Sequence, residues 1–397
     1  MGSRGPSDGY GHPMSLICAG TMVIDGQVCR PGWLQTSGRR ILACGSSAPP
    51  EPADDDFPDS IVVPGFIDMH VHGGGGASYT EAHGIVGAAG FHLRHGTTTT
   101  LASLVTAGPG ELIAGVRALA EQTRHGTIAG IHLEGPWLSQ AHCGAHDHTQ
   151  LRNPEPAEID AVLAAGGDAI RMVTMAPELP GSEWAIRRFV DTGVVVAIGH
   201  TGATYEQTRH AIGLGATVAT HLFNAMAPLH HREPGPALAL LEDPRVTVEL
   251  IADGVHLHPA VVRSVVETVG PDRVALVTDA VAAAGSPDGS FWLGTVPIDV
   301  ISGVARVRGT STIAGSTATM DQLFRTVVGF GSDADAVLVS AVQMTSATPA
   351  RALGLDRVGS LRPGYDANLV VLDHDLQVAA VMVDGDWRTG LDSAALV

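Results

Sequence analysis

From Pro64 onward the sequence repeats one pattern: a short apolar run rich in β-branched residues, then a stretch with apolar residues three and four positions apart. Eight runs occur in order, "GFIDMHV", "TTTTLASL", "TIAGIHLE", "AIRMVTMA", "GVVVAIGH", "ATVATH", "VTVELIAD" and "RVALVTDA". Strands covered on both faces require near-continuous apolar runs of this kind. The intervening segments, such as "GELIAGVRALAEQTRH" and "HPAVVRSVVETVG", have the period of amphipathic helices. Eight strand–helix units in succession predict an α/β chain closed into a (β/α)8 TIM-like barrel over residues 63–359.

The flanks break this alternation. Residues 14–62, with "SLICAGTMVIDGQV" and "RRILACG", and residues 360–397, with "LVVLDHDLQVAAVMVDGDWRTG", read as short strands with Asp-Gly turns and no helix. Two β segments that enclose a barrel in the chain are expected to pair into one small β-sandwich domain. A further β-like stretch, "SFWLGTVPIDVISGVARVRG", follows the eighth run. Residues 1–13 lack the apolar core of a signal peptide and read as a disordered leader or tag.

Charge limits the partners. With 23 basic against 41 acidic residues the formal charge is −18. No basic field would draw nucleic acid or an anionic membrane surface, and an anionic small substrate would need a local cluster of Arg and His. No apolar run approaches the ~18 residues that span a bilayer. Four scattered cysteines, Cys18, Cys29, Cys44 and Cys143, form no CxxC pair, which suits a reducing cytoplasm.

In a barrel of this kind, function sits at the C-terminal ends of the strands. The last residues of the runs are His70 and His72 in the first, Glu134 in the third, His200 in the fifth, His221 in the sixth and Asp279 in the eighth. Strand alternation puts His70 and His72 on one face, toward the barrel axis. One histidine at a strand end is more often structural than catalytic. Six imidazole and carboxylate groups converging from five strands are different, because burying them without a cation is costly. Imidazole and carboxylate together suit Zn2+, Fe2+ or a similar divalent ion.

The motifs "PGFIDMHVHG", "HLEGPW", "GHT", "THLFNAM" with "REPG", "IADGVH", "TDA" and "LRPGYDANLVVLD" resemble the amidohydrolase superfamily and, within it, the N-acetylglucosamine-6-phosphate deacetylases. The resemblance covers nearly the whole chain. It implies a metal-bearing barrel with a small β-sandwich built from both chain ends. The implied reaction is hydrolysis of the N-acetyl group of N-acetyl-D-glucosamine 6-phosphate to D-glucosamine 6-phosphate and acetate. Glu134, His200 and His221 would bind the primary ion, with Glu134 in the place where many relatives use a carboxylated lysine. His70 and His72 would support a second. The implied cofactor is one or two divalent ions per subunit, Zn2+ first, with Fe2+, Co2+ or Mn2+ as alternatives. Asp279 would act as acid and base and as a further metal ligand, and His146 would touch the substrate carbonyl. Asn224, the Ala225 backbone and His256 would contact the phosphosugar. Arg232 would reach the phosphate from the neighbouring subunit of a homodimer. The plain alternatives are a loop histidine for His146 and a surface arginine for Arg232. Two other functions compete: an amidohydrolase acting on cyclic amides or N-acyl amino acids, and a binding protein that has lost catalysis. The phosphate-type residues speak against the first, and the complete ligand set against the second.

Within "HLEGPWLSQAHCGAHD", residues 132–147, Glu134 is then a ligand, Gly135 and Pro136 turn the chain out of the barrel, and Trp137 packs that turn. His132 reads as structural, one layer deeper, and His142 and His148 as loop residues. Cys143 stands where many relatives carry lysine and is expected over the bound sugar. The segment "TSTIAGSTATMDQ" is expected beside the site, with Ser316 or Thr319 capping a helix.

Overall fold

The eight apolar runs form eight parallel strands: β1 (Phe66–Val71), β2 (Thr97–Leu104), β3 (Gly130–Glu134), β4 (Ile170–Met175), β5 (Val195–Ile198), β6 (Val218–Ala219), β7 (Thr247–Leu250) and β8 (Val274–Leu276). They pair in chain order within a single sheet. The structure, a computed structural model, describes residues 14–389. The segment read as a leader, 1–13, and the end of the C-terminal β segment, 390–397, lie outside the described residues. The sheet closes between β8 and β1 through backbone bonds just past the ends of the strands. Asp279 N–H donates to His70 O at 2.8 Å, and the N–H groups of His72 and Gly73 donate to Ala280 O at 2.8 and 2.9 Å.

Every residue of β1, β3 and β7 is buried, which is why these strands read as apolar runs rather than as alternating ones. Met69, Leu101, Met172, Ala197, Val218 and Ala275, from six strands, meet in one apolar cluster. The helices follow their sequence periods. The helix at Pro109–Arg124 buries Leu112, Val116 and Leu119, and that at Pro259–Val269 buries Val262, Val265 and Val269. Both start with proline in the first turn, where its missing N–H costs nothing. Thr319 and Gln322 form a capping box at the start of the helix Met320–Val328, one of the two caps expected there. No helix among the described residues is long and apolar enough to cross a membrane.

After β8 the chain forms a three-stranded antiparallel meander, Gly289–Leu293, Val296–Ile301 and Val304–Val307. Its apolar face (Leu293, Ile298, Val300, Ala305) packs with Val105, Ala145, Val281, Ala283 and Ala314. This holds the meander beside the C-terminal ends of the barrel strands.

Among the described residues the chain divides into two compact units, residues 66–359 and the two flanks, 14–65 with 360–389. In the flanking unit the strands form one mixed sheet, antiparallel at every pairing except Met14–Ile24 with Asp55–Pro64. It is one continuous hydrogen-bonded sheet. The strand Arg40–Ser46 at one edge bends back on the segment before Leu369: Ile41 N–H donates to Tyr365 O and Ala367 N–H to Arg39 O. Ile17, Met22, Leu34, Ile41, Val62, Leu369 and Met382 fill the interior this creates.

Candidate metal centre and active-site cavity

His70 is the next-to-last residue of β1, His72 follows it, and Glu134 ends β3. His200, His221 and Asp279 lie two or three residues beyond their strands, with φ of 49°, 26° and 47°. Side chains other than glycine rarely adopt this left-handed region, and such strain gathers at functional sites. The effect is to bend each side chain back over the barrel mouth. Potential ligand atoms form two sets that share Glu134: His70, His72, Glu134 and Asp279 in one, Glu134, His200 and His221 in the other, with every atom of a set within 4.8 Å of the rest. Glu134 Oε1 is 3.0 Å from both His200 Nε2 and His221 Nε2, and Oε2 is 3.0 Å from His72 Nε2. Asp279 Oδ1 lies 3.2 Å from His72 Nε2 and 3.5 Å from His70 Nε2.

The outward nitrogens set which way the rings face. His72 Nδ1 donates to Ser103 O at 3.2 Å, His200 Nδ1 to His142 O at 2.9 Å, and His70 Nδ1 to Glu249 Oε2 at 3.1 Å. Each bond directs the Nε2 lone pair inward, as the outer partners of metal-bound histidines do. Yet Nε2 atoms face each other at 3.3 Å (His70 and His72) and 3.1 Å (His200 and His221). Lone pairs do not face one another at that range unless a proton or a cation lies between. Bonds of 2.0–2.1 Å at tetrahedral angles place ligand atoms about 3.3 Å apart, so the donor set fits a divalent ion.

Ionisation agrees. Burial pushes the Glu134 carboxyl up, but His70 and His146 pull it well below the usual range. Burial likewise raises Asp279, and His70 and His72 hold it down. Burial pushes His72 down, yet hydrogen bonds to Asp279 and Glu134 carry it up to about 9. Without an ion the cluster takes up protons, and a divalent cation displaces them.

The profile of the amidohydrolase family matches residues 61–388. The chain belongs to the amidohydrolase family. It is 37% identical over 364 residues to an N-acetylgalactosamine-6-phosphate deacetylase of Escherichia coli O157:H7, covering 89% of this chain and 95% of that protein. It is 38% identical over 351 residues to an N-acetylglucosamine-6-phosphate deacetylase of Danio rerio, covering 84% and 86%. A solved structure of the N-acetyl-D-glucosamine-6-phosphate deacetylase of Mycobacterium smegmatis, a mutant in complex with N-acetyl-D-glucosamine 6-phosphate, superposes with a TM-score of 0.93. It shares 54% identity and covers 94% of this chain and 99% of that one. The barrel expected from the sequence is thus present, and this family member has a buried His, Glu and Asp cluster suited to a divalent metal.

A cavity of about 290 Å3 opens over the metal sets, lined by His72, Glu134, His146, His200, His221 and Asp279 together with Asn224, Ala225, His256 and Ile313. His146 Nδ1 accepts the Thr106 backbone N–H at 3.2 Å and the Thr106 hydroxyl at 2.9 Å. Burial keeps the ring neutral, down at about 4 despite Glu134. Its single proton is therefore on Nε2, which lies 3.3 Å from Glu134 Oε2. His256 is held by Asp253, whose Oδ2 lies 2.7 Å from Nδ1. Ser311, Thr312 and Gly315 of the "TSTIAG" segment also line the cavity.

Other residues of the amidohydrolase fall differently. Cys143, expected over the sugar, does not line the cavity: Gly144 does, and the Cys143 Sγ lies 3.8 Å from Gly144 O. Gly144 has φ of 56°, and a Cβ there would come within 3.0 Å of the His200 ring. The backbone turns toward the site, and the thiol is carried off it. Asn224 lines the cavity, but its Nδ2 donates to His221 O and Leu222 O, bonds a phosphate would have to replace. Arg232 is exposed, 2.7 Å from His231 Nε2, and is not part of the cavity wall. All 23 basic residues are arginine, and among the described residues none lines the cavity. His132 bridges Ser103 Oγ and Thr174 Oγ1, as its structural reading requires. His142, read as a loop residue, supplies the carbonyl that orients His200.

Two buried carboxyls beside the candidate ligands, Glu249 and Asp68, escaped the sequence reading. Glu249 in β7 touches His70 and also accepts the His221 N–H at 3.0 Å. Asp68 in β1 accepts the Thr278 hydroxyl at 2.5 Å, and burial pushes its carboxyl up to about 7. Neither stands last in its run, and a lone acidic residue inside an apolar run was the only signal available.

Proposed function

We infer that this amidohydrolase removes the N-acetyl group of N-acetyl-D-glucosamine 6-phosphate, releasing acetate and D-glucosamine 6-phosphate. The observation that carries this reading is one cavity at which two sets of potential metal ligands, the Asp279 carboxylate held between His70 and His72, and a neutral imidazole N–H come together. His70, His72, Glu134, His200, His221 and Asp279 would hold one or two divalent ions, Zn2+ first, with Fe2+, Co2+ or Mn2+ as alternatives. The chemistry such an ion supplies is a water whose pKa falls toward about 7 and a polarised carbonyl.

The chain's own groups do the rest. Asp279 takes the proton of the attacking water and returns it to the leaving amine. His146 donates its Nε2–H to the carbonyl oxygen as negative charge develops there. His256, Asn224 and the Ala225 backbone hold the sugar phosphate. Among the described residues no guanidinium lines the cavity, so Arg232 from the second subunit of a homodimer completes the anion site, where its fork of donors suits a phosphate. We place the enzyme in the cytoplasm, with a barrel at 63–359 that carries the chemistry and a β domain from the two flanks.

The test is acetate release from the 6-phosphates of N-acetylglucosamine and N-acetylgalactosamine and from unphosphorylated N-acetylglucosamine, with metal content measured on the same sample. The glucosamine phosphate should be turned over fastest, and a chelator should abolish the rate. Equal rates with and without phosphate would sink the phosphosugar assignment. A faster rate on the galactosamine phosphate would favour the activity named for the Escherichia coli relative.

A further inference from the structure

Glu249 is the third residue of β7 and is fully buried. It belongs to neither metal-ligating set. Yet both partners of its Oε2 are ligands, one from each set: His70 through Nδ1 at 3.1 Å and His221 through its backbone N–H at 3.0 Å. Its other oxygen, Oε1, is buried with no hydrogen-bond partner. A carboxylate in that state costs stability, and the apolar neighbours in "VTVELIAD" show that leucine or valine suits the strand. The placement therefore needs a reason beyond folding.

The two contacts supply one. An imidazole can turn about its Cβ–Cγ bond and can carry its proton on either nitrogen. A bond at Nδ1 settles both, leaving the Nε2 lone pair for a cation. His221 needs help of another kind, since its φ of 26° is a conformation L residues avoid. Anchoring its N–H on a buried carboxylate holds that backbone in place. We propose that Glu249 is a positioning residue for a two-ion centre: with one oxygen it fixes a ligand of each set, and without it the set containing His70 loses its hold on an ion. The proposal rests on the metal-dependent reading above.

The experiment uses the full chain, stripped of metal and titrated with Zn2+ against a chromophoric chelator, with fold followed by thermal melting. The parent should take up two ions. In Glu249→Leu the weaker step should fall about 10–100-fold, the usual loss when such an outer partner is removed. Glu249→Gln should bind closer to the parent, because its carbonyl oxygen can accept both bonds that Oε2 accepts. If the leucine variant melts without Zn2+ as an unfolded chain, Glu249→Ala reads the same loss. Three results overturn the proposal: a folded leucine or alanine variant with parental affinity at both steps, a glutamine variant no better than leucine, or a parent that binds a single ion. A parent that binds no ion overturns the metal-dependent reading as well, and shows it before any variant is made.

Discussion

Replacing His146 by alanine separates a transition-state contact from a binding contact. The ring accepts two hydrogen bonds from Thr106 at Nδ1 and is neutral, so its Nε2–H is a donor of fixed direction at the cavity wall. Losing one donor aimed at a developing oxyanion typically lowers kcat by about 10²–10³, or about 2.7–4 kcal/mol. The same change strands the buried Thr106 N–H and hydroxyl, which should lower stability by about 1–3 kcal/mol and Tm by several degrees. Three measurements on one preparation keep these effects apart: steady-state acetate release, metal per chain and thermal melting. The expected result is a kcat lowered by two to three orders of magnitude with KM and metal content little changed. His146→Gln, which places an amide N–H near the lost Nε2–H, should recover part of the rate. The reasoning fails if folded, metal-loaded His146→Ala keeps kcat within about threefold of the parent. It fails too if the whole loss lies in KM, because that is the mark of a contact made equally in ground and transition states.

Asp279→Asn keeps an oxygen at the metal-ligating position but removes the proton acceptor, and kcat should fall by about 10²–10⁴; acetate release at the parental rate would contradict the acid–base role. Arg232→Ala should raise KM for the 6-phosphate and leave the slow turnover of unphosphorylated sugar unchanged. Mixing Arg232→Ala chains with Asp279→Asn chains should restore activity through heterodimers, and no recovery in a mixed, dimeric sample would reject the cross-subunit role. Cys143→Ala should keep kcat/KM within about twofold, the usual range for a substitution away from a built contact; a tenfold fall would place the thiol on the substrate.

How far each part could be read in the sequence follows from the physics that sets it. Strand burial is a property of consecutive residues, so the eight apolar runs announced the barrel. The C-terminal ends of those runs then carried His70, His72, Glu134, His200, His221 and Asp279. The flanking sheet was harder: strand pairing across more than 300 residues, such as Leu369 with Pro64, leaves only turn residues and alternation as local signs. That Gly144 and not Cys143 lines the cavity was not legible, because position in a loop does not tell which way a side chain leaves the backbone, and Gly144 stands at positive φ.

The sequence by itself determined the barrel and the residue types at its mouth, because periodicity and the end of each strand are local facts. Tertiary structure decided how those residues work together. It bent His200, His221 and Asp279 back over the mouth through left-handed backbone. It placed the Ser103, His142 and Glu249 acceptors behind the rings, and set the Thr106 donors against His146. These are contacts between residues up to 179 positions apart. The direction of a lone pair or a proton depends on such distant partners, and no local pattern encodes it.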